Sequence, residues 1–583
     1  MNFSSQNCAV LKLSNETIKN RIWLLLLFFF FMFLLPVGRL IDLQIIRHHF
    51  FQAEALEQRL RVITLAADRG DIFDCGGHLL ATSIDTYSIY IVPGQIKNKE
   101  KVARKLSGIL SMRYIDIVNK MYKEKPFVWL KRKVGKEESS RIRAAKLPGV
   151  YMLSEKKRIY PKGALASQVL GFVGIDNQGL SGIELGFDRY LKGEEGMIVT
   201  ESDPRGIEIL GATGRLLQAQ TPGLNIYLTI DETIQYIAER EIEAAVTKYR
   251  ADSGTVIVMD AKSGEILALA SKPDFDPNLY QNYNPMTWHP RVVGNVYEPG
   301  STFKLITIAS ALNEQVISPD TRIYCPDRLE VGGKWIRNSH TFEAESKSMK
   351  PEDILAYSVN TGAAQIGIKL GPERLMKYIK AFGFGKEIGI GLPGESCGIV
   401  REIKDWSKPD IGMISFGQGI AVTPLQLASA VCVIANDGRM IKPILVKRIE
   451  AVDRSTVKVS TKRELGQVIS PRVARKLKEM MGEAIVRGTG KLAKIKGFRI
   501  GGKTGTAEKV KPEGKGYWHG HYIPSFVGIA PLSDPKIVVL VVIDDPKGRI
   551  FWGERVAAPV FKTVTEETLR YLNVAPDEIA CFP

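Results

Sequence analysis

The sequence is poor in the residues that build metal clusters and disulfide frameworks. Among 583 residues there are six cysteines and seven histidines. Cys8, Cys75, Cys325, Cys397, Cys432 and Cys581 are scattered without CxxC spacing or a regular pattern, which argues against a disulfide scaffold and a zinc cluster and leaves the redox compartment open. Repeats and low-complexity tracts are missing, and glycine and proline stay near average usage, so collagen-like and disordered classes are excluded. Negative charge is the scarcer sign: 80 lysines and arginines face 63 acids, a net +17, so an anionic surface such as membrane lipid or nucleic acid has to be weighed. What is present in quantity is apolar surface, 45% of residues, enough for two or three folded units in a chain of this length.

Long apolar runs are also scarce; there is one. Residues 22–38 read IWLLLLFFFFMFLLPVG, 17 residues without a charge, spanning roughly 26 Å as a helix. A cleaved signal peptide would have a shorter apolar stretch ending in small residues, whereas Arg39, Leu40, Ile41 and Asp42 follow here, so an uncleaved anchor is expected. Lys12, Lys19 and Arg21 precede it, and the positive-inside rule then places residues 1–21 in the cytoplasm and the rest outside. Residues 97–157 carry 18 basic and 6 acidic side chains, a net +12. Without interleaved aromatics, and on the exported side of a membrane, this is not a nucleic-acid surface. Solvated faces of short helices are the expected reading, with attraction to anionic headgroups or wall polymers as the alternative.

A turn-rich stretch, residues 201–223, marks a boundary. After it, NIYLT (225–229) predicts a strand and Asp231 the N-cap of a helix running to about Val246. TVIVM (255–259) and ILALA (266–270) flank Lys262, Ser263 and Gly264 as a hairpin. KIVVLVVI (536–543) reads as a buried strand and residues 557–572 as a closing helix. Strands from both ends with helices between predict an α+β domain whose sheet joins distant parts of the chain.

Four stretches match Ser-x-x-Lys, beginning at Ser154, Ser301, Ser455 and Ser533. A lysine activates a serine when both project from one face of a rigid helix, as i and i+3 do. Only Ser301, followed by TFKLITIASAL with Lys304 on the same face, has that setting, and a helix start there also aims backbone donors at an oxyanion. Ser301 as a simple N-cap is the rival reading. Ser358 and Asn360 stand two apart after a helical stretch, where hydroxyl and amide can enter one cleft. Lys503, Thr504, Gly505 and Thr506 follow, overlapping a G-x-x-x-x-G-K-T match at Gly497–Thr504. A phosphate loop needs a buried strand before it and an apolar-faced helix after it; neither is present, so this stretch is expected to be an edge strand whose lysine and hydroxyls grip a carboxylate and whose glycine lets a substrate backbone lie alongside. His519 and His521 form an HxH pair read as strand or loop residues rather than metal ligands.

Ser-x-x-Lys, Ser-x-Asn and Lys-Thr-Gly in this order resemble the signature of penicillin-recognising serine enzymes. YEPGSTFK, SFGQGIAVTPLQLA, RGTGKLA and GGKTGTAEK resemble the class B penicillin-binding proteins, as do DRGDIFDCGGHLLA (68–81) and residues 158–184. Cys75 and Gly76 depart from that pattern, where the family usually has Arg and Asn. Within the family, the short tail, single anchor and lack of appended repeats most resemble the division-specific enzymes. The resemblance implies an α+β multidomain chain: a cytoplasmic tail (1–21), a transmembrane helix (22–41), an elongated pedestal of the dimerisation type (42–224) and a transpeptidase domain of the serine β-lactamase fold (225–583). It implies that Ser301 is the nucleophile, Lys304 its base, Ser358 a proton relay and Asn360 an orienting amide. Lys503, Thr504, Gly505 and Thr506 would bind the substrate, with backbone amides of Ser301 and Thr506 as the oxyanion hole. The implied reaction is acyl transfer from D-alanyl-D-alanine stem peptides, without metal or cofactor, in septal wall synthesis at the bacterial inner membrane. The implied partners are β-lactam antibiotics, a lipid-linked glycan polymerase and other division membrane proteins. An elongation-specific enzyme, a β-lactamase and a non-catalytic β-lactam sensor are the alternatives; the ExxLN element of class A β-lactamases is not found after Asn360, where Glu395 is followed by Ser396, Cys397 and Gly398.

Overall fold

The computed structural model describes residues 15–65, 67–201, 215–339, 347–511, 514 and 516–577. Most of the expected turn-rich boundary, and Lys12, Cys8 and Cys581, lie outside these. The chain divides into two compact units, Met1–Ala66 with Glu195–Gln220 and Ala67–Glu194 with Thr221–Pro583.

In the first unit the apolar run lies within one helix, Asn15–Ile41, continuous over Pro36. Its side chains from Ile22 to Leu35 are exposed, and its most apolar 18-residue window has a mean hydropathy of 2.5. A helix of 27 residues, roughly 40 Å long and uncharged over residues 22–38, fits a single-pass membrane anchor. Past it, Leu60–Leu65 pairs antiparallel with Gly196–Glu201, which pairs with Arg215–Gln218.

In the second unit the basic segment forms an α/β lobe. Strand Leu79–Ile91 pairs with Val128–Val134 and Val150–Ile159, and helices Lys99–Leu110, Tyr114–Met121 and Lys136–Ala145 bury Leu106, Ile117 and Ile142 against Ile89 and Leu130. Several of the lysines and arginines are held in ion pairs, such as Lys131–Glu138 and Arg132–Glu155. The two pedestal motifs converge on one buried carboxylate. Glu184 accepts from Arg69 Nε and Arg158 Nε, both at 2.6 Å, while Arg69 Nη1 reaches Asp188 at 2.6 Å. At the departing Cys75–Gly76 position the loop still docks: Cys75 N donates to the Ile230 carbonyl at 2.8 Å and its thiol, pushed up to about 12 by burial, faces Asp231 at 3.7 Å. Cys75, Cys325, Cys397 and Cys432 are free thiols.

The central sheet is antiparallel with five strands in the order Ile266–Lys272, Ser253–Asp260, Ile537–Asp544, Tyr517–Ala530, Gly501–Val510. Both faces are covered, which is why its inner strands read as unbroken apolar runs. Val256, Val258, Val539 and Val541 face helices Glu232–Tyr249 and Gly553–Tyr571, while Ile257, Val538 and Leu540 belong to the core that includes helices Lys304–Asn313 and Pro424–Ala435. Asp231 caps the first of these helices, accepting from Thr233 N and Ile234 N.

Candidate active site

Three elements around the edge of that sheet supply the signature residues. Ser301 sits in a short 3-10 turn, Gly300–Phe303, and the α-helix proper starts at Lys304. The expectation of a helix beginning at Ser301 is corrected to that extent, and no backbone amide is capped by its hydroxyl. The turn is held by a neighbouring loop: Gly300 N donates to Gly417 O at 3.1 Å, and a Cβ on Gly417 would lie 2.2 Å from Gly300 O. Gly417 has φ +81°, so SFGQGIAVTPLQLA contributes a bare left-handed residue on which the serine turn rests. Ser358 follows helix Pro351–Ala356 and adopts φ +60°, a conformation disfavoured for a residue with a side chain. Asn360 opens helix Asn360–Leu370. Residues 503–506 lie on Gly501–Val510, the edge strand expected in place of a phosphate loop.

Lys304 is fully buried, and its Nζ meets four oxygens: Ser301 Oγ at 3.1 Å, Ser358 O at 2.6 Å, Ser358 Oγ at 3.2 Å and Asn360 Oδ1 at 2.7 Å. Burial, and secondarily the like charge of Lys503, hold the amine well below the ordinary lysine range, which favours its neutral form. A neutral amine has two N–H groups and one lone pair. The Ser358 carbonyl and Asn360 Oδ1 can only accept and take the two N–H groups, which leaves the lone pair to a serine hydroxyl. Asn360 is fixed by donating Nδ2 to Arg337 O at 2.9 Å. Lys503, also fully buried, reaches Ser358 Oγ at 3.0 Å, Thr504 O at 3.0 Å and Thr504 Oγ1 at 3.2 Å; burial lowers it to about 7.

Thr506 Oγ1 accepts from Gly553 N at 2.9 Å and so keeps its proton for a ligand oxygen. Gly505 is closely packed by protein: a Cβ there would lie 2.4 Å from Ser525 Oγ and 3.0 Å from Pro299 O, so its bareness makes room for these neighbours. The other Ser-x-x-Lys matches are not at the site. Ser154 is in strand Val150–Ile159, Ser455 bonds Asp453 in a turn, and Ser533 bonds Asp577.

Several residues escaped motif reasoning. Arg487 spans three carboxylates, Glu352 at 2.6 Å, Asp353 at 2.7 Å and Glu483 at 2.8 Å, with its guanidinium over Tyr357. Two residues on, Thr489 N donates to Ala356 O and Thr489 Oγ1 lies 2.7 Å from Thr504 Oγ1. RGTGKLA therefore ties the Ser358 corner to the edge strand. Glu298, whose carboxyl burial raises to about 6, accepts from Gly419 N at 2.8 Å and Tyr517 OH at 3.0 Å. No local pattern announces these roles, because each partner comes from a distant stretch. Glu395 has its carboxylate taken up by the backbone amides of Ile388 and Gly389. His519 and His521 are on the strand Tyr517–Ala530, but the fold brings them carboxylates that the sequence reading did not supply, Glu508 at 3.3 Å and Asp545 at 2.6 Å.

A buried lysine, its amine pushed toward the neutral form and aimed at a serine in the turn before its helix, with a second serine between two lysines and a Lys-Thr-Gly edge strand, defines a serine acyl-transfer enzyme of the penicillin-recognising class. The chain belongs to the class B penicillin-binding proteins. Residues 254–566 match the penicillin binding protein transpeptidase domain and residues 64–228 the penicillin-binding protein dimerisation domain. It is 36% identical to stage V sporulation protein D of Bacillus subtilis, over 97% of this chain and 88% of that one. It is 32% identical to the peptidoglycan D,D-transpeptidase FtsI of Buchnera aphidicola, over 99% and 100%. The fold is similar to that of a peptidoglycan synthetase from Bifidobacterium adolescentis, with a TM-score of 0.71 and 28% identity over 89% of this chain and 98% of that one. Penicillin binding protein 3 of Mycobacterium tuberculosis, complexed with ampicillin, shares the fold at a TM-score of 0.70 and 24% identity, over 89% and 99%.

Proposed function

We propose that the chain is a peptidoglycan D,D-transpeptidase of the division septum. The observation that carries the chemistry is the Lys304 amine, fully buried and 3.1 Å from Ser301 Oγ. Ser301 Oγ loses its proton to Lys304 Nζ and bonds to the carbonyl carbon between the two terminal D-alanines of a stem peptide. Backbone amides of Ser301 and Thr506 hold the oxyanion, and Thr504, Thr506 and Lys503 hold the terminal carboxylate. As the C–N bond breaks, the proton passes through Ser358 Oγ to the leaving D-alanine amine. An amine of a second stem peptide then attacks the ester carbon, and its proton returns by the same route to Ser301. A β-lactam enters the first step and stays, since the ExxLN element that supplies the water-activating carboxylate of class A β-lactamases is not found after Asn360.

Residues 42–224 would serve as pedestal for a catalytic domain of residues 225–583, held by the anchor in the cytoplasmic membrane. Lys12, Lys19 and Arg21 ahead of the span support an extracytoplasmic catalytic side. A lipid-linked glycan polymerase and other division membrane proteins are the partners of this reading. Labelled penicillin should acylate Ser301, found by mass spectrometry of the labelled peptide, and depletion should block septation. The 36% identity to a sporulation protein favours a second reading, wall synthesis during spore formation. Normal vegetative division with failed sporulation after depletion would choose it, and swollen cells with normal septa would choose an elongation role.

A further inference from the structure

A cleft of about 590 Å³ opens in the second unit, and none of the residues lining it belongs to the catalytic set. Its titratable side chains besides Tyr190 are all cationic: Arg189, Lys442, Arg448, Lys458 and Arg463, with no carboxylate in the wall. Strand pairing assembles them. Lys458 stands opposite Ile449, next to Arg448, across paired strands, and Lys442 N donates to Arg463 O at 2.9 Å. Gly389 stands beside Lys442; a Cβ there would lie 3.6 Å from Lys442 Nζ.

Two of the five cations are engaged. Arg448 pairs with Glu450 at 2.6 Å and lies over Tyr227, and Arg189 Nη2 donates to Tyr190 OH at 2.8 Å. Among the described residues, no carboxylate pairs with Lys442, Lys458 or Arg463. Adjacent positions do pair outward, Lys447 with Glu265 and Lys462 with Glu464. Uncompensated like charges facing one concavity repel each other and focus a positive potential into it, a state that a bound polyanion relieves.

We propose that this cleft is a second binding site for uncross-linked peptidoglycan strands, taken by the free carboxylates of their stem peptides. A strand offers repeated carboxylates at a spacing set by its disaccharides, which suits three separate cations better than a single small anion does. The inference rests on the transpeptidase reading and deepens it: a strand held here stays on the enzyme while other stem peptides enter the catalytic cleft.

The test uses the full chain in detergent, first acylated with penicillin so that Ser301 is closed. Purified uncross-linked strands with free stem carboxylates should bind the acylated protein, less tightly as salt rises. The double variant Lys442→Glu with Arg463→Glu should bind at least tenfold more weakly while still acylating with penicillin at the parent rate. Strands with amidated carboxylates should bind as weakly as the variant. Equal binding by amidated strands or by the variant would overturn the proposal, as would saturable binding of polyphosphate or anionic vesicles but not of strands. Failed acylation of the parent would instead remove the transpeptidase reading itself.

Discussion

Lys304 and Lys503 share one hydroxyl: Ser358 Oγ lies 3.2 Å from the first amine and 3.0 Å from the second. Two buried ammonium groups at such a separation repel strongly, so at most one carries charge near neutrality. The one nearer Ser301 is the one that burial and its neighbour both drive to the neutral form.

This pair should make stability depend on pH. Lys503 has its folded-state value lowered to about 7, against about 10.4 in the unfolded chain, so between these the unfolded state binds more protons and stability rises with pH. Below about 7 the full penalty is present, on the order of a few kcal/mol. Lys503→Met should therefore melt higher than the parent at pH 6 and lose most of that advantage by pH 10, while penicillin acylation drops by orders of magnitude. A thermal shift series across pH checks it; an advantage that grows with pH contradicts it.

Ser301→Ala should abolish acylation with almost no effect on folding. Because the hydroxyl caps no backbone amide, the stability change should stay within about 0.5 kcal/mol, less than the loss of an N-cap. Denaturant unfolding and labelled-penicillin binding read the two effects separately.

Gly417→Ala tests the support of the serine turn. The added Cβ would meet Gly300 O at 2.2 Å from a left-handed backbone, so about 2 kcal/mol or more should be lost, and acylation should slow because Ser301 shifts away from Lys304. Parent-like acylation would show that the turn does not depend on this contact.

Arg487→Ala should leave Glu352, Asp353 and Glu483 facing one another and loosen the corner that keeps Ser358 at φ +60°. With the guanidinium part-exposed, a loss of about 1–3 kcal/mol is expected. The acylation rate should fall more than penicillin affinity, and the pH profile should shift as the Lys304–Ser358–Lys503 spacing changes. Arg487→Lys should rescue stability in part and the profile hardly at all, since one ammonium cannot span three carboxylates.

The anchor, the sheet and the signature were legible in the sequence because each is encoded over a few adjacent residues. Seventeen uncharged positions make a span, and unbroken apolar runs such as 537–543 mark strands buried on both faces. The four Ser-x-x-Lys matches have the same spacing, and the apolar helical pattern that follows Ser301 singled it out, although the helix itself begins three residues later. The tertiary structure alone decided what depends on distant partners. It lowered two lysines by enclosing them, gave Gly505 the task of admitting Ser525 and Pro299, and set carboxylates beside His519 and His521. It also brought Arg487 from RGTGKLA onto the Ser358 corner and left Lys442, Lys458 and Arg463 facing a common cleft. Burial and cross-chain contact set these electrostatics, and neither is a property of a local run of residues.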